Sequence, residues 1–253
     1  MSGSALDWPE GVAKRVLAEI DSTNAEAARI AGEITGPTWV LALKQTAGRG
    51  RRGRVWFDPV GNFAATLVMR PAEAPDQVAL RSFVAALALR DAVAAVTGRP
   101  EGLSLKWPND VLLNGGKLAG ILLESSGQGS GVGYLAVGIG VNLVEAPPAR
   151  VLEPGAMPPV SIAGETGITV TPEDFLDVLA PCYARHEATF TTYGFGPIRE
   201  AWLAGAARLG QAVTAKTMTA EHHGTFETVD AEGALVLKTS DGRAVIPAAD
   251  VYF

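Results

Sequence analysis

Cysteine is almost missing from this sequence. Of 253 residues only Cys182 is a cysteine, so no internal disulfide can form, and the fold must rest on its hydrophobic core. The lone thiol fits a reducing, cytoplasmic setting. Histidine is nearly as scarce, with three in all. Cys182 and His186 stand at helical i, i+4 spacing, but two ligands do not close a zinc site, and His222-His223 belong to an expected exposed turn, so no residue is read as a metal ligand. Cys182 is read as a core residue outside every motif below, which argues against thioester chemistry. No uncharged apolar run is long enough to cross a bilayer, because Arg90 and Asp91 interrupt Phe83–Val96. Met1–Ile20 lacks the apolar core of a signal peptide. Positive charge is in deficit: 21 Lys and Arg against 27 Asp and Glu give a net charge of -6. That balance argues against a general nucleic-acid binder.

Against this background, Gly48-Arg49-Gly50-Arg51-Arg52-Gly53-Arg54 packs four arginines and three glycines into seven residues. Arginine offers a permanent charge and a planar fork of donors suited to phosphate and carboxylate, and glycine lets backbone amides approach an anion. The stretch also matches G-x-G-x-x-G. A dinucleotide-binding fingerprint should open directly into a helix, whereas here the chain runs on through Val55-Trp56-Phe57-Asp58-Pro59, which reads as loop. The remaining readings are a mobile cationic loop that closes over a phosphate and a solvated basic run of the nucleic-acid type.

The rest of the chain reads as α+β. Thr23 and Glu26 have capping-box spacing for a helix whose buried face includes Ala27, Ile30 and Ile34. Trp39–Leu43 and Phe63–Met69 read as core strands, and Asp76 as the cap of a helix reaching Val96. Leu103–Trp107, Val111–Leu113, Leu118–Glu124 and Tyr134–Asn142 read as further strands, with a tight turn at Asn114-Gly115-Gly116 and a flexible connection over Gly127–Gly133. Pro147–Pro159 reads as a surface loop. Thr171-Pro172 opens a helix through Tyr193, which contains Pro181, and a shorter helix follows near Pro197–Ala207. From Arg208 onward, Val213–Thr217, Thr225–Val229, Ala234–Lys238 and Ala244–Ile246 alternate with turns, as expected of a small SH3-like barrel. The domains expected are therefore 1–207 and 208–253.

Three further clusters carry chemistry. Lys106-Trp107-Pro108-Asn109-Asp110 sets a lysine, an amide and a carboxylate around a proline; by itself it is equally a surface turn with a salt bridge. Lys117-Leu118-Ala119-Gly120-Ile121-Leu122-Leu123-Glu124 begins a strand with a cation, and Gly120 permits close approach of a ligand or a neighbouring chain. Gly138-Ile139-Gly140-Val141-Asn142 is an apolar strand ending in an amide that can read a purine edge or cap a turn.

Together with Asp21-Ser22-Thr23-Asn24 and the segment from Gln45 to Trp56, these clusters resemble the biotin protein ligase family in order and spacing over almost the whole chain. The combination is far more specific than any one member. The family's catalytic fold is related to that of class II aminoacyl-tRNA synthetases, and the C-terminal segment is similar to its SH3-like domain. The resemblance implies that biotin's carboxylate attacks the α-phosphorus of ATP, with Mg²⁺, to give biotinyl-5′-adenylate and pyrophosphate. A lysine of a biotin carboxyl carrier protein then takes the biotinyl group and releases AMP. It further implies that Ser22, Thr23, Asn24 and Gln45 bind the ureido end, with Arg49, Gly50, Arg51, Lys117 and Gly120 completing the biotin site. Arg49, Arg51, Arg54, Trp56, Lys106, Asn109, Lys117 and Asn142 would bind ATP and the adenylate, Trp56 and Asn142 at the adenine. The catalytic set would be Arg51, Lys106, Asp110 and Lys117. Asp110 is open between steering or deprotonating the acceptor lysine and a structural ion pair, and Arg52 and Arg54 between ligand contact and holding the loop.

Many relatives carry an N-terminal helix-turn-helix domain and repress transcription. Only about twenty residues precede Asp21 here, so the expectation is ligase activity without DNA or membrane partners, as a monomer or weak homodimer. The nearest rival is a lipoate or octanoate ligase, which would want an apolar pocket in place of the ureido-binding polar set. A non-enzymatic nucleic-acid module is the rival of a different class.

Overall fold

The computed structural model describes residues 7–128, 131–148 and 157–253. Met1–Leu6 and parts of the expected Gly127–Gly133 connection and Pro147–Pro159 loop lie outside the described residues.

The architecture is a mixed seven-stranded sheet with helices, followed by a five-stranded antiparallel sheet. In chain order the first part contains β1 (Ala13–Leu17), α1 (Thr23–Ile30), β2 (Thr38–Ala42), β3 (Phe63–Met69), α2 (Pro75–Ala79), α3 (Arg81–Thr97), β4 (Leu103–Lys106), β5 (Asp110–Leu113), β6 (Gly116–Gln128), β7 (Gly131–Val141), α4 (Ile162–Thr166), α5 (Pro172–Tyr193) and α6 (Phe195–Ala204). Its strands lie in the order β1-β2-β3-β7-β6-β5-β4, and only the β1–β2 pair is parallel. The second part contains β8 (Ala212–Lys216), β9 (Glu221–Val229), β10 (Leu235–Thr239), β11 (Gly242–Ile246) and β12 (Asp250–Tyr252), in the order β11-β10-β9-β8-β12. This small sheet has the make-up of an SH3-like unit.

Strand alternation decides which side chains can do chemistry. Successive side chains point to opposite faces. Trp39 and Leu41 of β2, Phe63, Ala65 and Leu67 of β3, Ala119 and Ile121 of β6, and Val137, Ile139 and Val141 of β7 enter one core with Phe83, Leu87, Phe175 and Leu179 of α3 and α5. The opposite face holds Val40, Val68 and Ala136 against Ala27, Ile30 and Ala31 of α1. The same alternation puts Thr66, Gly120, Leu122, Gly138 and Gly140 on that second face, and the last four line the cavity.

Several local expectations are corrected. The Thr23–Glu26 capping box does not form: Ser22 is the N-cap, without a side-chain cap bond, and the Thr23 hydroxyl is taken by tertiary partners. The helix expected from Asp76 is two helices meeting at Leu80, and Ala74 rather than Asp76 caps the first, with Pro75 opening it. Gly127 is no free linker, because the β6–β7 ladder continues to Gly127↔Val132 and Gln128↔Gly131. His222 and His223 lie within β9 rather than in a turn. The last helix of the first part covers Phe195–Ala204 instead of Pro197–Ala207. Two strands, β1 and β12, were not expected; β1 is an exposed edge with no apolar alternation, and β12 has three residues.

The two sheets are joined by specific bonds. Trp107 is buried, and its indole Nε1 donates to the Gly233 carbonyl at 3.0 Å. Leu105 fixes the segment leading to the second sheet, donating to the Gly205 carbonyl at 2.8 Å and accepting from Ala207 at 2.8 Å. Arg199 donates to the Val229 carbonyl, and Trp202 packs against Phe226 of β9 with ring centroids 6.5 Å apart. Trp107→Ala removes one such bond and opens a void, so it should destabilise the protein by about 3–5 kcal/mol in urea unfolding. A loss under ~1 kcal/mol would show that the void collapses and that Trp107 is not a tie between the sheets.

Candidate functional site

A cavity of about 940 Å³ opens on the second face of the large sheet. It gathers residues from five stretches of sequence and from the C-terminal sheet. Each residue singled out from the sequence as a site residue lies on its wall: Ser22, Thr23, Asn24 and Gln45; Arg49, Gly50, Arg51, Arg54 and Trp56; Lys106, Asn109 and Asp110; Lys117 and Gly120; and Asn142.

One end is neutral and internally bonded. Ser22, a buried residue, is the N-cap of α1, and its side chain makes no cap bond. The Gln45 Oε1 accepts from the Thr23 amide at 2.9 Å and the Thr23 hydroxyl at 3.2 Å, while Gln45 Nε2 donates to Asp58 Oδ2 at 3.1 Å. Buried Thr66 places its hydroxyl 2.8 Å from Thr23 Oγ1 and 2.6 Å from Asn24 Oδ1. Asn24 Nδ2 donates to Glu124 Oε2 at 2.8 Å, and Arg49 reaches the same oxygen at 3.1 Å. Asn24 is thus held at both ends of its amide. Gly138 is the residue that leaves it room, since a Cβ there would lie 2.2 Å from Asn24 Oδ1.

The other end is cationic. Lys106 and Asp110 are cross-strand partners in the β4–β5 hairpin, and Lys117 Nζ stands 2.8 Å from Asp110 Oδ1 without hydrogen-bond alignment. Burial pulls the Lys106 ammonium below the usual lysine range; Lys117 and Arg51 add to this, while Asp110 and Asp250 oppose it. Burial likewise lowers Arg51, whose guanidinium donates to Asn109 Oδ1 at 3.2 Å. Asn109 in turn donates to the Ile121 carbonyl at 2.6 Å.

Between the ends lies Trp56. Its indole rests against the paired glycines of β6 and β7, Gly120 and Gly140: a Cβ on Gly140 would fall 2.3 Å from the ring and one on Gly120 3.3 Å from it. The indole nitrogen is buried without a partner. So is Asn142 Oδ1, although Asn142 Nδ2 donates to the Val160 carbonyl at 2.9 Å. A buried donor and a buried acceptor without protein partners on one cavity's residues suit a site completed by a polar ligand or ordered water.

The arginine segment is a hairpin. Gly50 donates to Arg54 at 2.7 Å and Trp56 to Gly48 at 3.0 Å, and a single 3₁₀ turn, Arg51–Gly53, forms the tip. No helix follows, so the dinucleotide fingerprint has no structural counterpart. The tip is tied to β12: Asp250 lies 2.6 Å from Arg52, 3.3 Å from Arg54 and 3.7 Å from Arg51. Phe253 also reaches the cavity, its ring 5.3 Å from Lys106 Nζ and 5.2 Å from Arg208 Cζ.

Sequence reasoning missed Thr66, Asp58, Asp250, Arg208 and Phe253. Strand alternation in β3 could have found Thr66, which sits on the site face between core residues. The partners of the other four are set by tertiary contact alone. Gly140→Val should drive the Trp56 ring off the sheet and raise amide exchange through residues 48–56 in hydrogen-exchange mass spectrometry. Unchanged exchange there would mean that the ring does not hold the hairpin.

With this geometry in hand, comparison with known proteins is informative. The family model described as "Biotin/lipoate A/B protein ligase family" matches residues 16–142, and the one described as "Biotin protein ligase C terminal domain" matches residues 209–253. The biotin--[acetyl-CoA-carboxylase] ligase of Paracoccus denitrificans is 61% identical over 238 residues, covering 94% of this chain and 99% of that protein. The bifunctional ligase/repressor BirA of Bacillus subtilis is 33% identical, over 85% of this chain and 65% of the relative. Among solved structures, the biotin protein ligase from Aquifex aeolicus in complex with biotin and ATP superposes with a TM-score of 0.80 at 24% identity, covering 94% of this chain and 98% of that one.

Proposed function

The chain belongs to the biotin protein ligase family, and we propose that its cavity activates biotin with ATP and passes the biotinyl group to a lysine of a biotin carboxyl carrier protein. The observation that carries this reading is the division of one cavity into a neutral hydrogen-bonding end and a cationic end bridged by an indole. Biotin is a neutral urea at one end and a carboxylate at the other, and ATP adds an adenine and a polyphosphate.

In the first step a biotin carboxylate oxygen bonds to the α-phosphorus, and pyrophosphate leaves with the electrons of the broken P–O bond. Two anions must approach, so opposing charge must be in place beforehand. Lys117, Arg51 and Lys106 supply it, with Lys117 at the junction of carboxylate and α-phosphate. Ser22, Thr23 and Gln45 take the urea, and Asn24 supports them through its bonds to Thr66 and Glu124. Arg49, Gly50 and Gly120 line the acyl chain and carboxylate, and Arg54 and Asn109 back the phosphate side. The open Asn142 Oδ1 suits an exocyclic amine such as that of adenine, with Trp56 against the base.

In the second step the acceptor amine attacks the acyl carbon of the mixed anhydride. The C–O bond to AMP breaks, and the nitrogen sheds a proton. Asp110 is the carboxylate proposed to steer that amine; its ion pair with Lys117 at 2.8 Å keeps it ionised and able to attract an ammonium. Among the described residues no group of three or more His, Cys, Asp or Glu side chains could hold a metal. Mg²⁺ would therefore be carried on the nucleotide phosphates. When bound, the ion neutralises phosphate charge.

The same proposal includes a 1–207 catalytic and a 208–253 SH3-like domain, a cytoplasmic location, a monomer or weak homodimer, and no DNA partner, the last supported by the net charge of -6. Mixing protein, ATP, Mg²⁺ and biotin should release pyrophosphate, and adding a carrier domain should label it. Release driven by lipoate and not by biotin would overturn the assignment. Lys117→Ala should slow adenylation by about 10²–10³, and a near wild-type rate would sink its role.

Lys106 yields a test with opposite signs. Its folded pKa lies below its unfolded one, so between the two values the unfolded chain holds the extra proton and stability rises with pH. Below that window the penalty for the buried charge is fully present. Lys106→Met should therefore raise the stability of the ligand-free protein and flatten its alkaline pH dependence while slowing adenylation. A variant that is both slower and less stable would contradict the burial argument.

A further inference from the structure

Asp58 is not itself on the cavity wall or in the cationic cluster, yet it bonds to Gln45, a residue of the neutral end whose orientation is ambiguous by chemistry. Gln45 carries a carbonyl and an amide of nearly equal shape, and a half-turn would exchange an acceptor for a donor at the cavity. Its Oε1 is engaged by two donors from Thr23, the amide at 2.9 Å and the hydroxyl at 3.2 Å. Its Nε2 donates one of two protons to Asp58 Oδ2 at 3.1 Å. A carboxylate only accepts, so it rejects the flipped amide. What remains for the cavity is a single N–H.

We propose that Asp58 is a positioning residue that locks the Gln45 amide as a hydrogen-bond donor, and so makes this end of the site selective for a ligand carbonyl oxygen. The inference rests on the biotin reading above, in which that oxygen is the ureido carbonyl. Gly48 confines the arrangement from the other side, since a Cβ there would lie 3.0 Å from Gln45 Nε2. Asp58 is half-buried, and burial pushes its carboxyl above the usual aspartate range, offset in part by its bond to Gln45. A carboxyl held at such a cost needs a reason, and orienting Gln45 supplies one.

The test is a double-mutant cycle on the full-length protein, read as steady-state pyrophosphate release with biotin and with ATP varied in turn. Asp58→Ala should raise the biotin KM about 10-fold, the scale of one misaligned hydrogen bond, and leave kcat and the ATP KM near wild type. Asp58→Asn, whose carbonyl can still accept from Nε2 but whose amide also suits the flipped Gln45, should recover part of the loss. In a Gln45→Ala background the Asp58→Ala change should add less than about 2-fold, because both act through the same amide. Equal effects of Asp58→Ala with and without Gln45 would overturn the proposal, as would a defect confined to kcat or one that Asn fails to relieve. Should Asp58→Ala not fold, the Asp58→Asn and Asp58→Ser pair decides it, with Ser expected to fall between Asn and Ala if its shorter hydroxyl still reaches and a Ser equal to Asn overturning the need for a carbonyl-type acceptor. An unchanged biotin KM in Gln45→Ala alone would instead remove the ureido assignment itself, which separates failure of that reading from failure of the role of Asp58.

Discussion

Six cationic side chains, Arg49, Arg51, Arg54, Lys106, Lys117 and Arg208, share a cavity wall with two carboxylates, Asp110 and Asp250, in a chain whose net charge is -6. Holding such charges in a partly desolvated space is costly: burial, ahead of the neighbouring cations, pulls Lys106 and Arg51 below their usual ranges, and Asp110 and Asp250 offset part of it. The rest of the molecule supplies the stiffness to sustain it. Lys106 and Asp110 face each other across a two-strand ladder, Lys117 comes from the next strand, and Asp250 is brought by a separate sheet. No short peptide could hold these groups together.

The large sheet makes this possible through a division of labour between its faces. One face is packed with aliphatic and aromatic side chains from β2, β3, β6 and β7 against α3 and α5. Burying that surface is the main source of stability. The opposite face can then carry glycines, hydroxyls and amides that contribute little to packing. Gly120 and Gly140 are partners across the β6–β7 ladder, and their bare backbone is the floor on which the Trp56 indole lies. Glycine in a strand interior normally weakens it, and here the weakness is offset by the packed reverse side.

How much of this was legible in the sequence depends on the range of the interactions involved. The core strands Phe63–Met69 and Trp39–Leu43 showed themselves through local apolar density, and the clusters at Lys106, Lys117 and Asn142 through residue types rare in company. The resemblance then linked clusters that were each ambiguous alone. Interactions between distant parts of the chain were invisible. Arg52 and Asp250 are separated by 198 residues, and nothing near Asp250 marks it as the counter-ion of a loop so far upstream. Thr23 misled for a related reason. Its spacing to Glu26 suits a capping box, but its hydroxyl has better partners in Gln45 and Thr66, and tertiary bonds overrode the local rule. The edge strand β1 was missed because an exposed strand needs no apolar alternation.

The two ends of the cavity differ in how complete they are, and this separates their roles. At the neutral end nearly every polar atom has a partner within the protein: Asn24 is bonded at both ends of its amide, and Gln45 at its oxygen and one proton. Such a network is rigid before any ligand arrives, and rigidity is what lets a neutral group be told from its analogues, because a ligand lacking the matching atoms leaves buried groups unpaired. Toward the charged end the Trp56 nitrogen and Asn142 Oδ1 are buried without hydrogen bonds, and the cations outnumber their counter-ions. Unfilled groups of that kind lower the stability of the empty protein and raise the gain from an anionic, hydrogen-bonding ligand. Recognition is thus concentrated where the protein is saturated, and the drive for charge transfer where it is not.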